Sequence, residues 1–159
     1  MQFRIGFGYD VHKLETGLQL TLGTVKINHD KGPVAHSDGD VLLHAICDAL
    51  LGAAGLRDIG YHFPDTDNRY KNISSSILLA EVFAKIKATG YHISNIDSTI
   101  AIQTPKLSPY IPLMQDKIAE ILNIAPGQVS IKATTTEKMG FEGREEGFSA
   151  YATALIFTD

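Results

Sequence analysis

With 159 residues, 44% of them hydrophobic and 20% charged, the chain has the size and composition of a single globular domain spanning 1–159. Its formal net charge of −4 provides no basic footprint for a nucleic-acid backbone, so any phosphate it holds must be met locally, by a few cations or by metal. A lone cysteine, an opening without a signal-peptide pattern, and a longest apolar stretch (Ala49–Leu56) far short of the ~20 residues of a membrane span together predict a cytoplasmic protein.

Residues 3–12 alternate, with Phe3, Ile5, Phe7, Tyr9 and Val11 on one face and Arg4, Gly6, Gly8, Asp10 and His12 on the other. That period of two predicts a half-buried strand. A second strand is expected at 18–27, after the Thr16-Gly17 turn. Ser37 to Ala54 reads as a helix, capped by Ser37 with Asp40 at capping-box spacing. Val41, Leu42, Ala45, Ile46, Ala49 and Leu50 form its apolar side, and Cys47 within it reads as buried packing. Residues 57–72 form a loop, broken by Pro64 and rich in Asp and Asn. A helix over 74–88 turns Ile77, Leu78, Val82, Phe83 and Ile86 inward and stops at Gly90. A strand at 93–103 follows, then a loop with Pro105, Pro109 and Pro112 that opens a helix running to 123. The Pro126-Gly127 turn leads into a strand at 129–135, a polar Gly-rich loop over 136–147, and a last strand from Phe148 to Phe157. The order β-β-α-α-β-α-β-β predicts an α+β fold, a single-layer mixed sheet with helices packed on one face.

Asp10 and His12 lie two apart on a strand and therefore leave the same face, a good geometry for two metal ligands. On the first helix Asp40, His44 and Asp48 share a stripe at i, i+4 and i+8. His44 is the natural third ligand if that stripe meets the end of the first strand. Three ligands of Asp and His type leave a position open, the arrangement of a catalytic zinc. The same spacing fits a plainer arrangement, in which Asp10 ends a strand, His12 lies on the surface and His44 is a hydrogen-bonded core histidine. Asp40 either joins the site or caps the helix. Asp48 is either solvated or orients a ligand.

The stretch Ala35-His36-Ser37-Asp38-Gly39-Asp40 sets donors at a helix N-terminus, where an anion would be held and His36 could steady its charge; an ordinary capped helix start has the same sequence. The 57–68 loop is long and polar, its carboxylates suited to substrate hydroxyls or simply solvated. Between Ala133 and Gly147 lie hydroxyls, Glu137, Lys138 and Arg144 among glycines, suited to phosphate and Mg²⁺. Their spacing is that of neither a Walker loop nor a dinucleotide fingerprint, and a flexible hairpin with scattered charges would look alike.

Gly8-Tyr9-Asp10-Val11-His12, Ala35 to Asp40 with His44, Asp58-Ile59-Gly60, Phe63-Pro64-Asp65-Thr66-Asp67, Pro105-Lys106 and Ala133 to Lys138 together resemble, in order and nearly end to end, the 2-C-methyl-D-erythritol 2,4-cyclodiphosphate synthases of non-mevalonate isoprenoid biosynthesis. The resemblance implies an enzyme, a CMP-releasing phosphorus-oxygen lyase. It would convert 4-diphosphocytidyl-2-C-methyl-D-erythritol 2-phosphate into the cyclic diphosphate. It implies Zn²⁺ on Asp10, His12 and His44, and a second ion, Mg²⁺ or Mn²⁺, placed by Glu137. His36 and Thr135 would steady the transition state, with Ser37 on phosphate; Asp10 and His12 would also border the substrate. Asp58, Ile59 and Gly60, with Phe63, Pro64, Asp65, Thr66 and Asp67, would hold the methylerythritol. Ile102, Gln103, Thr104, Pro105, Lys106, Leu107 and Ser108 would form the cytosine pocket. Thr134, Thr135, Thr136 and Glu137 would contact diphosphate and ribose.

The resemblance also implies a homotrimer with active sites between subunits. Phe141, Arg144 and Glu146 would lie near a central channel that takes an isoprenoid diphosphate in some members. Phe7 stands where polar residues can occur in relatives, and Glu145 sets a second acid beside Glu146. The chemistry suits the residues, because phosphoryl transfer needs positioning and charge neutralisation more than a nucleophile–base pair. Two other functions share these features: a metal-dependent nucleotide pyrophosphatase, and a non-catalytic binding module for isoprenoid diphosphates or cytidine nucleotides.

Overall fold

The computed structural model describes residues 1–64, 66–70 and 72–159. Its first strand, β1 (Gln2–Thr16), is followed by a small hairpin of β2 (Leu20–Leu22) and β3 (Val25–Ile27), then by β4 (Lys31–Val34). The expected strand at 18–27 is thus two, because Gly23 and Thr24 both take positive φ and close a two-residue hairpin turn. Helices α1 (Val41–Ala54), α2 (Ile59–His62) and α3 (Ser75–Ala88) come next, then β5 (His92–Ala101), α4 (Ile111–Leu122), β6 (Val129–Thr134), the short α5 (Gly140–Gly143) and β7 (Gly147–Thr158). The loops expected at 57–72 and 136–147 therefore carry one helical turn each at α2 and α5, and a 3₁₀ turn at Asn68–Tyr70.

Five strands form one mixed sheet in the order β4-β1-β7-β5-β6. β1 runs antiparallel to β7 from Gln2 opposite Thr158 to Lys13 opposite Gly147, and β5 pairs antiparallel with β7 on its other side. β6 joins parallel to β5, as the crossover through α4 requires.

α1 is apolar on almost every side, and Val41, Leu42, Ala45, Ile46, Cys47, Ala49 and Leu50 are fully buried. A helix with so little polar surface belongs between layers, and α1 lies between the sheet and α3. It begins four residues later than expected: the cap is Asp40, whose side chain accepts from Leu43 N–H, and not Ser37. Gly55 closes it in the left-handed conformation. On α3, Leu78, Leu79, Val82 and Ile86 face the core, whereas Ile77 is exposed, contrary to expectation.

β1 presents the face that its alternation did not favour. Phe3, Ile5 and Phe7 are 56%, 73% and 63% exposed, with Tyr9 and Val11 also open, while Gly6 and Gly8 are buried. The cause is the closeness of α1. A Cβ on Gly6 would stand 1.9 Å from the Ala49 carbonyl oxygen, and one on Gly8 1.9 Å from that of Ala45. The helix can lie that near only where the strand has no side chains. On the opposite side of the sheet the apolar row continues across strands, with the rings of Tyr9 and Tyr151, and of Phe3 and Phe157, in tilted contact.

Candidate metal centre

Asp10 and His12 extend the glycine face of β1, the side that meets α1. Because Gly8 seats on Ala45, the preceding residue, His44, arrives level with Asp10. Asp10 Oδ2 lies 2.9 Å from His44 Nδ1 and 3.2 Å from His12 Nε2. One ligand atom from each residue falls within 4.8 Å of the others, the one such group of three among the described residues. Two parts of the plainer arrangement do not hold: Asp10 sits within the strand, opposite Ala150, and the His12 side chain is only 18% exposed. His44, by contrast, is hydrogen-bonded and largely buried, as that arrangement expects.

The donors fit a metal ion. His12 Nε2 is buried without a hydrogen bond of acceptable geometry to any protein atom, and a buried ring nitrogen left so is costly unless something fills the place. Burial by itself would raise the Asp10 carboxyl, but the two imidazoles beside it prevail and hold it at about 2. Burial would likewise lower His44, yet its hydrogen bond to Asp10 and the surrounding carboxylates raise it. Asp10 and His44 therefore favour an anionic carboxylate beside a cationic ring, and a carboxylate so held suits a cation.

The other acids of the α1 stripe have separate duties. Asp40 is wholly buried, and its carboxylate accepts from Leu43 N–H at 3.2 Å and Thr24 N–H at 2.8 Å. Burial pushes it up to about 6, against the backbone hydrogen bonds that lower it. It caps α1 and pins the β2–β3 turn, so the helix N-terminus expected to receive an anion is filled by the chain's own carboxylate. Asp48 accepts from Ile59 N–H at 2.7 Å and ties the start of α2 to the metal centre.

Asp10, His12 and His44 open into a cleft of about 530 Å³ whose wall includes His36, Ser37, Ile59, Gly60, Phe63 and Pro64. His36 is exposed, and Ser37 Oγ lies 3.3 Å from His44 Nε2. Asp58 caps α2 by accepting from Tyr61 N–H, and Asp67 binds Arg69, so both carboxylates already have partners; Thr66 is exposed. Asp65 lies outside the described residues.

A second cleft, about 500 Å³, is formed by Ile102 to Ser108 with Ala133, Thr134 and Thr135. Gln103 Oε1 accepts from Lys138 N–H at 3.2 Å, which joins its two walls. The Thr135 hydroxyl donates to Glu137 Oε1 at 3.1 Å, and that of Thr136 to the Met139 carbonyl. Glu137 and Lys138 both have positive φ, 55° and 64°. Each such non-glycine residue costs roughly 1–2 kcal/mol, and strain of this kind collects at functional loops.

The two clefts are distinct on one chain. β7 and β5 stand between β1 and β6, three strand spacings of about 4.8 Å each, so His36 and Thr135 are not brought together. Among the residues expected near a channel, Phe141 packs over Gly147, and Arg144 is exposed with Nε 2.9 Å from Glu146 Oε1. Glu145 turns aside to Lys31 at 3.2 Å and does not double the charge of Glu146.

Sequence reading missed Ser75, whose buried hydroxyl lies 2.9 Å from His44 Nε2. A serine in the first turn of a helix 31 residues away carries no local signal of that contact. The glycine pair of β1 did carry one, since glycine recurring on one strand face marks close approach of another backbone.

The YgbB family model matches residues 3–157. Similar proteins include the 2-C-methyl-D-erythritol 2,4-cyclodiphosphate synthase of Parabacteroides distasonis, 59% identical over 156 residues, 98% of this chain and 97% of that one. That of Bacteroides thetaiotaomicron is 58% identical over the full length of both. Among solved structures, a CDP complex from Plasmodium falciparum superposes with a TM-score of 0.88 at 37% identity, covering 99% of this chain and 97% of the other.

Proposed function

This chain belongs to the YgbB family, and from that membership we propose that it is a 2-C-methyl-D-erythritol 2,4-cyclodiphosphate synthase of isoprenoid biosynthesis, residues 1–159 forming one catalytic domain. The observation that carries this reading is the convergence of Asp10, His12 and His44 in an open cleft, on a chain close to 60% identical to such synthases.

The reaction is a phosphorus-oxygen lyase step. An oxygen of the substrate's 2-phosphate attacks the β-phosphorus, and the bond from that phosphorus to the bridging oxygen breaks. CMP leaves with the bridging oxygen and its electron pair. Asp10, His12 and His44 would hold Zn²⁺ and Glu137 would help hold Mg²⁺ or Mn²⁺, and these ions, when bound, would supply positive charge against the diphosphate. His36 and Ser37 line the metal cleft beside Asp10 and His12 and would meet phosphate oxygens there. Ile59, Gly60, Phe63 and Pro64 shape the space for the methylerythritol, and Asp48 holds that wall through Ile59; Asp58, Thr66 and Asp67 would add contacts to it. The cleft of Ile102 to Ser108 takes the cytosine, largely by backbone groups. Thr134 to Glu137 meet ribose and diphosphate, and the Thr135 hydroxyl joins His36 in steadying the transition state. No protein nucleophile is needed, because the attacking group is already tethered to the substrate.

The reading includes a homotrimer. Two features support it: the open apolar face of Phe3, Ile5, Phe7, Tyr9 and Val11, of the kind that marks an interface, and the division of the site into two clefts on one chain. In the assembly the metal cleft of one subunit meets the 102–108 and 134–137 segments of its neighbour. Phe141, Arg144 and Glu146 then border the threefold axis, with an isoprenoid diphosphate as the candidate occupant. The one cysteine, buried and free, suits a reducing cytoplasm. No helix among the described residues is long and apolar enough to cross a membrane.

The test is ³¹P NMR of the purified protein with its diphosphocytidyl substrate, Mg²⁺ and trace Zn²⁺. Two coupled signals of a cyclic diphosphate, arising together with CMP, are expected. CMP with a linear phosphomonoester would show a pyrophosphatase instead, and no turnover by the zinc-loaded protein would leave only binding.

A further inference from the structure

We propose that Asp38 and Ser75 form a positioning pair that sets the tautomer of His44, keeping the proton on Nε2 and turning the Nδ1 lone pair to the metal centre. The inference rests on the metal reading above and deepens it. His44 is bonded at both ring nitrogens. Nδ1 lies 2.9 Å from Asp10 Oδ2, while Nε2 points to the opposite side, 2.9 Å from Ser75 Oγ.

A serine hydroxyl has a single proton to give. In Ser75 that proton goes to Asp38 Oδ1, and Ser75 N–H donates to Asp38 Oδ2 at 2.9 Å. A carboxylate can only accept, so the Ser75 oxygen has only lone pairs left for His44. The imidazole must therefore donate from Nε2. Nδ1 is then the nitrogen able to bind a cation beside Asp10 and His12. Ser37 Oγ, which accepts from Gly39 N–H and keeps its own proton, stands farther from Nε2 at 3.3 Å, so Ser75 at 2.9 Å is the closer partner.

The pair is built into the fold. Ser75 is fully buried as the first residue of α3. Ser74, at the cap position, makes no side-chain capping bond, and its hydroxyl pairs with Ser76 instead. Asp38 caps α3 from another segment, and is itself held by its N–H to the Ile73 carbonyl and by Asp40 N–H on its carboxylate. A ligand carried by α1 is thus oriented by the start of α3, through a carboxylate in the loop before α1. Partners of this kind, on the second nitrogen of a metal-binding histidine, typically change metal affinity by roughly 10–100-fold.

The experiment measures zinc affinity by chelator competition for the full chain and for Ser75→Ala, Asp38→Asn and Ser74→Ala. It is combined with ¹H–¹⁵N spectra of the zinc-loaded, histidine-labelled proteins. Ser75→Ala is expected to bind zinc roughly 10–100-fold more weakly and to lose exchange protection of the His44 Nε2 proton. Asp38→Asn, which keeps a neutral acceptor, should fall between, and Ser74→Ala should match the unaltered chain. Melting of the metal-free forms reports whether each variant folds. If Ser75→Ala does not, the Asp38→Asn affinity and spectrum decide. Unchanged affinity in folded variants of an otherwise zinc-binding protein would overturn this inference alone, as would a zinc-loaded His44 protonated at Nδ1. An unaltered chain that binds no zinc would overturn the metal reading with it.

Discussion

Gly8 of β1 and Ala45 of α1 meet backbone to backbone, so closely that a Cβ on Gly8 would lie 1.9 Å from the Ala45 carbonyl oxygen. Gly6 repeats the contact one helical turn along, at Ala49. Together they set the height and rotation of α1 over the strand. His44 precedes Ala45 and Asp10 follows Gly8 by two, so the same seat that packs the helix assembles the metal ligands.

Gly8→Ala should therefore damage fold and site together. The new methyl meets backbone, which cannot rotate away, and the helix must lift. A loss of about 3 kcal/mol or more is expected, a fall in Tm on the order of 10 °C for a chain of this size. Gly52 gives the contrast: it is exposed on α1, and a Cβ there meets only the Phe7 carbonyl oxygen at 4.0 Å. Gly52→Ala should be neutral or stabilise by up to about 1 kcal/mol. Thermal melts of both variants check the pair, and equal losses would refute the seat.

His12→Ala and His44→Ala should each lose bound zinc and most turnover while keeping the fold, because neither imidazole belongs to the apolar core. Metal analysis beside circular dichroism measures both effects. A variant that turned over at the full rate without zinc would remove these residues from the site.

Stability of the metal-free protein should fall as pH rises. His44 holds its proton more tightly folded than unfolded, so its contribution is complete below pH 6.5 and is lost as pH climbs through the folded value. Asp40, pushed up by burial to about 6, and Asp48, also raised, act in the same direction from pH 3.8 upward. Asp10, held at about 2, works oppositely: its contribution, on the order of 2 kcal/mol, is present above pH 3.8 and lost as pH falls towards 2. Zinc competes with the His44 proton, so the rise in Tm on adding zinc should grow from pH 6 to 8 even as the metal-free Tm drops. A zinc increment flat across that range would separate His44 from the metal.

Activity should be recoverable by mixing. His44→Ala spoils the metal cleft, and Thr135→Ala spoils the other. If each site is built from two subunits, a mixture unfolded and refolded together will contain sites with both halves intact. Turnover above the sum of the separate variants is expected. Failure to exceed that sum would mean that each site is built within a single chain.

Glu137→Gln should raise the Mg²⁺ concentration needed for half-maximal rate and lower kcat, because the neutral amide keeps the Thr135 hydrogen bond but loses the charge. A magnesium titration of the variant measures both. An unchanged titration would move the second ion elsewhere.

Much of this protein was legible in the sequence, because the signals involved are local. Alternation marked β1, the apolar sides of α1 and α3 marked those helices, and proline and glycine marked several of the turns and ends. The separated motifs, met in the right order, carried the family and with it the reaction. The types and spacing of Asp10, His12 and His44 admit a metal site or a plainer arrangement, and the resemblance selects the metal site; their 2.9 and 3.2 Å approaches belong to the tertiary structure. Tertiary structure decided what depends on orientation between elements. A strand with one apolar face alternates identically whichever face is buried, and only the glycine seat on α1 turns Phe3, Ile5 and Phe7 outward. Asp40 and Asp48 share a stripe with His44, yet the β2–β3 turn and α2 reach them first, so one becomes a cap and the other an anchor. The contact of Ser75 with His44 joins residues 31 apart. Such contacts exist only once two helices have packed, because packing, and no property of either segment alone, brings their side chains within hydrogen-bonding distance.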